Sequence, residues 1–154
     1  MSTYTATVRW KRGADDAFGQ GRYTRVHEWA FDGGAVVPAS ASPQVVPKPY
    51  SDEAAIDPEE AFIASLSSCH MLFFLDFARR GGFVVESYED RGEGILEKGE
   101  DGRMAMTRLT LRPHIEWGGN NRPDDAALAE FHHKAHQACF IANSVTTKVK
   151  VEGS

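Results

Sequence analysis

The alternation of apolar and polar positions divides the chain into a strand-rich opening, one long apolar helix, a hairpin, a second helix and a closing strand. Tyr4 to Trp10 sets Tyr, Ala, Val and Trp against Thr and Arg, the period-two pattern of a strand with one covered face. A glycine-rich, acidic connection runs from Gly13 to Gly21. Tyr23 to Phe31 predicts a second strand, closed by the turn signal Asp32-Gly33-Gly34. Pro38, Pro43, Pro47 and Pro49 then keep the chain in an extended loop up to Tyr50, because proline removes a donor and restricts the residue before it.

Asp57 to Arg80 is the most legible element. Asp57 suits an N-cap, Pro58 the first helical position, and Glu60 completes a capping box. Arg79 and Arg80 suit the last turn, and Gly81-Gly82 the stop. Between them Phe62, Ile63, Leu66, Met71, Leu72, Phe73, Phe74, Leu75 and Phe77 leave little of the surface polar, the mark of a buried helix. At ~1.5 Å per residue it runs about 36 Å, the diameter of a small domain. One chain of this size can hardly cover it, which predicts a partner subunit. Phe83 to Leu96 and Met104 to Ile115 alternate around Lys98-Gly-Glu-Asp-Gly102 and read as a β-hairpin. A second helix opens at Pro123, Asp124 and Asp125 and ends near Phe140, and Ser144 to Val151 reads as the last strand. This order predicts an α+β fold, with residues 1–154 expected to form a single domain.

Charge narrows the function classes. A net charge of −5 argues against a nucleic-acid binder, which would carry a basic patch. No uninterrupted apolar run approaches the ~20 residues that span a bilayer, and the first residues lack the apolar stretch of a signal peptide. The expectation is a cytoplasmic protein with no membrane partner. Two cysteines then suggest buried residues, metal ligands or redox thiols rather than a disulfide scaffold.

Cys69 lies mid-helix in Ser67-Ser68-Cys69-His70, sharing its face with Phe62, Phe73 and Asp76. Cys139 shares a helical stripe with Leu128, His132 and Ala135, so both thiols point inward. His132, His133 and His136, with Cys139 or with Cys69 and His70, also permit a zinc reading, although the tight C-x-x-C loops of zinc sites are missing. A reactive thiol needs a nearby positive charge. Arg22 and Arg25 are the candidates, and Arg25 shares a strand face with His27. An arginine in an apolar site needs a carboxylate in turn, which Glu59 or Glu60 could supply. Glu59 is about 15 Å up the same helix from Cys69, so it reaches the thiol only through an arginine, a helix break or another chain.

Asp57-Pro-Glu-Glu-Ala-Phe-Ile-Ala-Ser-Leu-Ser-Ser-Cys69-His resembles the first-cysteine region of the OsmC/Ohr family of organic hydroperoxide reductases, where N-P-E-x-L/F leads into a buried helix. Ala135-His-Gln-Ala-Cys139-Phe-Ile-Ala-Asn-Ser-Val145 resembles the second-cysteine motif A-H-x-x-C-P-x-S-x-S/A, with Phe140 in place of the proline. Tyr23-Thr-Arg25-Val-His27-Glu-Trp29 looks like an OsmC-like subgroup rather than the Ohr type. The resemblance, over about residues 20 to 152, implies antiparallel sheets packed around a long buried central helix in an intertwined homodimer. It implies peroxidatic Cys69, resolving Cys139 and Glu59 positioning an arginine, here Arg25. It implies an organic hydroperoxide substrate, no cofactor and no metal, and a dithiol reductant such as a dihydrolipoyl protein. Phe62, Phe73, Phe74 and Phe140 would form an apolar mouth, and His70 and His136 would tune the thiols or meet the substrate. The alternatives are a non-enzymatic dimer that binds an apolar ligand, or a Cys/His zinc protein.

Overall fold

The computed structural model describes residues 1–153. Its chain contacts fall into two compact units, Met1–Ala61 and the remainder from Phe62. In the first unit, β1 (Ala6–Arg9), β2 (His27–Phe31) and β3 (Val36–Ala39) form an antiparallel sheet in that order. The expected second strand is shorter at its start. Residues 23–26 are held instead by bonds outside the sheet, such as Arg25 N–H to the Tyr50 carbonyl at 2.8 Å and Val26 N–H to Thr24 Oγ1 at 3.1 Å.

Helix α1 (Pro58–Arg80) forms where the pattern placed it, with both ends closed as the sequence predicts. Asp57 Oδ1 accepts from the Glu60 N–H at 2.8 Å, and Glu60 Oε2 accepts from the Asp57 N–H at 3.2 Å, a reciprocal capping box. At the other end Phe83 N–H bonds the Ala78 carbonyl and Gly82 N–H the Arg79 carbonyl, a Schellman motif. That motif needs a left-handed residue, and Gly82 supplies it at φ 85°.

Within the single chain α1 buries only one stripe, Leu66, His70, Phe74 and Ala78, at the i, i+4 spacing of one helix face. Leu72 is 62% exposed. By length and composition alone α1 is apolar enough to cross a membrane, a test that the core helix of a soluble protein also passes. Counting uninterrupted apolar residues does not register this, because Ser65, Ser67, Ser68, His70 and Asp76 break the run while adding a single carboxylate.

The second unit carries the predicted hairpin, broken in two by a bend. β4 (Val84–Asp90) pairs antiparallel with β7 (Pro113–Gly118), and β5 (Glu93–Lys98) with β6 (Met104–Leu111). The break falls at Arg91 and Gly92 on one arm and Arg112 on the other. Gly92 lies so close to α1 that a Cβ there would meet Ile63 Cγ2 at 3.1 Å. Asp90 stitches the bend, accepting from the Arg112 N–H at 2.6 Å and from the Ser67 hydroxyl of α1. The closing strand β8 (Lys148–Val151) is shorter than expected and joins β6 in parallel, so this sheet is mixed.

Helix α2 (Asp125–Ala138) starts at Asp124, whose side chain accepts from the Ala127 N–H at 2.8 Å. The second unit holds two apolar clusters. Phe74, Ala78, Ile115, Leu128, Phe131 and Ala135 form one, and Leu66, Leu109 and Leu111 form the other.

Candidate active site

Cys69 sits half-buried on α1, and Cys139 is fully buried. The expected second helix does not run through Cys139. It stops at Ala138, and a one-turn α3 (Phe140–Asn143) follows. Cys139 is the corner, with extended backbone at φ −63°, ψ 111° and an N–H bonded to the Ala135 carbonyl. Its sulfur caps α3 by accepting from the Ala142 N–H at 3.4 Å, and its thiol lies 4.0 Å from the Leu66 carbonyl, about one turn before Cys69.

The two thiols are free, and Cys69 is close enough to Cys139 to bear on its ionisation. Burial pushes the Cys139 thiol up to about 11, with the neighbouring Cys69 adding to the rise and the Ala142 and Ile141 amides opposing it. At neutral pH Cys139 is therefore a protonated thiol, a poor first nucleophile. Cys69 is the more accessible of the pair. A sulfur that oxidised there would have a second sulfur nearby, brought from 70 residues away by the corner between α2 and α3.

The other residues that the sequence singled out divide. Arg25 and Glu59 lie in the first unit, and Cys69 and Cys139 in the second. Arg25 and Glu59 make no ion pair with each other among the described residues. Arg25 Nη1 instead donates to the Gly21 carbonyl at 3.0 Å and the Tyr23 carbonyl at 2.6 Å, and its guanidinium carbon lies 3.5 Å from the Tyr23 ring centroid.

Phe74 is wholly buried among Tyr88, Trp117, Phe131 and His132, so it is core and no part of a substrate mouth. Phe62 packs against the Leu66, Leu109 and Leu111 cluster. Phe73 meets Phe140 edge to face at 5.1 Å, and Phe140 is 69% exposed beside Cys139. These two keep an apolar surface next to the buried thiol.

His70 is also fully buried, turned away from any solvent-borne substrate. Its Nε2 lies 3.0 Å from His132 Nδ1, the rings nearly parallel with centroids 5.3 Å apart, and His132 stacks on Phe74 at 4.4 Å. Burial lowers both rings to about 4, with His132 and then His136 adding to the shift on His70, and Asp90 opposing that on His132. His136 Nδ1 is buried with no hydrogen-bond partner. The sequence singled out His132 only as a metal candidate, and its bond to His70 joins residues 62 positions apart that no local pattern connects. Among the described residues no group of three or more His, Cys, Asp or Glu is arranged to hold a metal ion.

The family model for OsmC-like proteins matches residues 51–154. The chain belongs to the OsmC-like family. Over its full length it is 50% identical to an OsmC-like protein of unknown function from Vibrio cholerae, also covered in full, with a TM-score of 0.98. The same fold, at a TM-score of 0.69 for each, is found in the organic hydroperoxide resistance protein OsmC of Legionella pneumophila and in OhrB of Bacillus subtilis. The first is 18% identical, covering 100% of this chain and 99% of the other, and the second 19%, covering 99% and 98%. No curated protein sequence matches the chain. The mixed helix-and-sheet architecture expected from the two cysteine motifs is thus the one this family has.

Proposed function

We propose that the chain is a thiol peroxidase for organic hydroperoxides, a reading in keeping with the names of its hydroperoxide-resistance fold relatives. The observation that carries it is the nearness of a half-buried thiol on α1 to a fully buried one at the corner between α2 and α3. Cys69, as thiolate, attacks the distal peroxide oxygen. The O–O bond breaks, the alcohol leaves with a proton, and Cys69 becomes a sulfenic acid. The Cys139 thiol then attacks that sulfur, releasing water and closing a Cys69–Cys139 disulfide. A dithiol, of which dihydrolipoyl groups are one class, returns both cysteines to thiols while itself becoming a disulfide.

Burial of Cys139 suits the second role rather than the first. Its thiol waits protonated until a sulfenic acid forms beside it, and the departing hydroxide takes its proton as water. Phe73 and Phe140 give an approaching alkyl or aryl peroxide an apolar surface, whereas hydrogen peroxide gains nothing there. The apolar faces of α1 left uncovered in one chain support a homodimer, and the acidic charge gives nucleic acid no place.

The test is titration of free thiols before and after one equivalent of cumene hydroperoxide, with Cys69→Ser in parallel. Both thiols should disappear in the native chain and return with a dithiol, and Cys69→Ser should leave the peroxide intact. A serine variant that consumed the peroxide at the native rate would remove the mechanism.

A further inference from the structure

The first unit contains a pocket whose lining includes neither thiol. It has a volume of about 480 Å³, in the range that suits small organic ligands, and its walls are mainly apolar. Trp10, Phe18 and Tyr23 form one side, their ring centroids 4.5 to 5.8 Å apart. Trp10 and Phe18 remain 42% and 51% exposed, a large aromatic surface left facing water. The one permanently charged group in the lining is Arg25.

Arg25 is held at its backbone, at one guanidinium nitrogen and on one face of the guanidinium. Its N–H donates to the Tyr50 carbonyl at 2.8 Å, its own carbonyl lies 2.7 Å from His27 Nδ1, and its guanidinium lies on the Tyr23 ring. His27 Nε2 accepts from the Trp29 indole at 3.2 Å, so the ring donates to the Arg25 carbonyl through Nδ1. Nη1 is committed to the Gly21 and Tyr23 carbonyls. Among the described residues the Nε–H and Nη2–H edge has no protein partner, and no carboxylate pairs with this guanidinium. That edge offers two parallel donors, the geometry that takes a planar carboxylate with two hydrogen bonds. A ligand that supplied the carboxylate would find the arginine already fixed, with little ordering still to do.

We propose that this pocket binds a carboxylate carried on an apolar body, with the free edge of Arg25 receiving the carboxylate and Trp10, Phe18 and Tyr23 covering the body. The chemistry is shared by two sources, a hydroperoxide that bears an acid group and an acid that undergoes no reaction. The site stands on its own geometry, and binding to it is measurable without turnover.

Calorimetry with 4-phenylbutyrate and its neutral counterpart 4-phenyl-1-butanol tests it on the full chain. The acid should bind at least about tenfold more tightly than the alcohol, and its advantage should shrink as salt is raised. Arg25→Gln, its fold checked by circular dichroism, should abolish the advantage of the acid, while Phe18→Ala should weaken both ligands. Equal affinity for acid and alcohol in the native chain overturns the proposal without recourse to any variant. So does an advantage that survives Arg25→Gln, or no binding of the acid at millimolar concentration. The source is read in the peroxidase assay. Competition by phenylbutyrate against a carboxylate-bearing hydroperoxide, but not against cumene hydroperoxide, assigns the pocket to substrate. Binding with no effect on either substrate assigns it to a non-reacting acid.

Discussion

Lowering the pH from 7.5 to 5.5 should weaken folding through His70 and His132. Both rings are lowered from an unfolded value of 6.5 to about 4 by burial. Between those values the unfolded chain binds protons that the folded chain refuses, so stability rises with pH and is lost as pH falls through 6.5. At pH 7.5 neither state holds these protons. At pH 5.5 the unfolded rings are about nine-tenths charged while the folded ones stay neutral, which costs about 1.3 kcal/mol per ring, or roughly 2–3 kcal/mol for the pair. The carboxylates with lowered values, Asp76, Glu97, Asp101 and Glu152, start from 3.8 or 4.5 and lose their contribution only at lower pH, outside this window. Urea unfolding at half-unit steps from pH 7.5 to 5.5 reads the loss directly. The double variant His70→Gln, His132→Gln should start less stable but vary far less over the same range. A native stability curve flat across the window, or a double variant that keeps the native slope, would refute the assignment of two neutral buried imidazoles.

Single positions give four more expected outcomes. Alkylation with iodoacetamide at pH 7.5, read by peptide mass, should label Cys69 well before Cys139, whose thiol is buried and raised to about 11. Cys139→Ser should let the first turnover proceed and then trap Cys69 as sulfinic acid, detected as mass gained on that peptide only after peroxide. Phe74→Ala should cost about 3–5 kcal/mol in urea unfolding, since the ring is wholly buried among four aromatic neighbours. Gly82→Ala, which forces a side chain into left-handed backbone at φ 85°, should cost about 1 kcal/mol or more in the same assay.

What the sequence made legible was local. The ends of α1 follow from residues within five positions of one another, so the pattern alone assigns Asp57, Glu60 and Gly82 to their caps. The hairpin is equally readable in its pattern, but not its bend, because Gly92 yields to the approach of Ile63 from another element. The same limit applies to the candidate site. Two motifs pick out Cys69 and Cys139, yet helical counting carries Cys139 one step too far along α2, when its sulfur in fact caps the next turn. Counting puts the thiol on an inward face for the wrong local reason, and the face is still inward. Phe74 and His70 are drawn into the site because apolar and imidazole side chains near a reactive cysteine look alike in sequence, whether they meet substrate or fill the core. Burial separates them.

The corner at Cys139 also bears on how the two thiols could work together. A cysteine inside an unbroken helix has its position fixed by every turn on either side, so bringing its sulfur to a partner means shifting the whole helix. Cys139 stands instead between α2 and a four-residue α3, where few backbone bonds would have to change for the sulfur to move. The two bonds that its sulfur makes, to the Ala142 amide at 3.4 Å and the Leu66 carbonyl at 4.0 Å, are weak ones, since sulfur donates and accepts poorly. Releasing them costs little beside forming a covalent bond to Cys69. Thus the fold buries the second thiol deeply enough to keep it protonated, and holds it loosely enough for a proposed disulfide to close without unfolding either long helix.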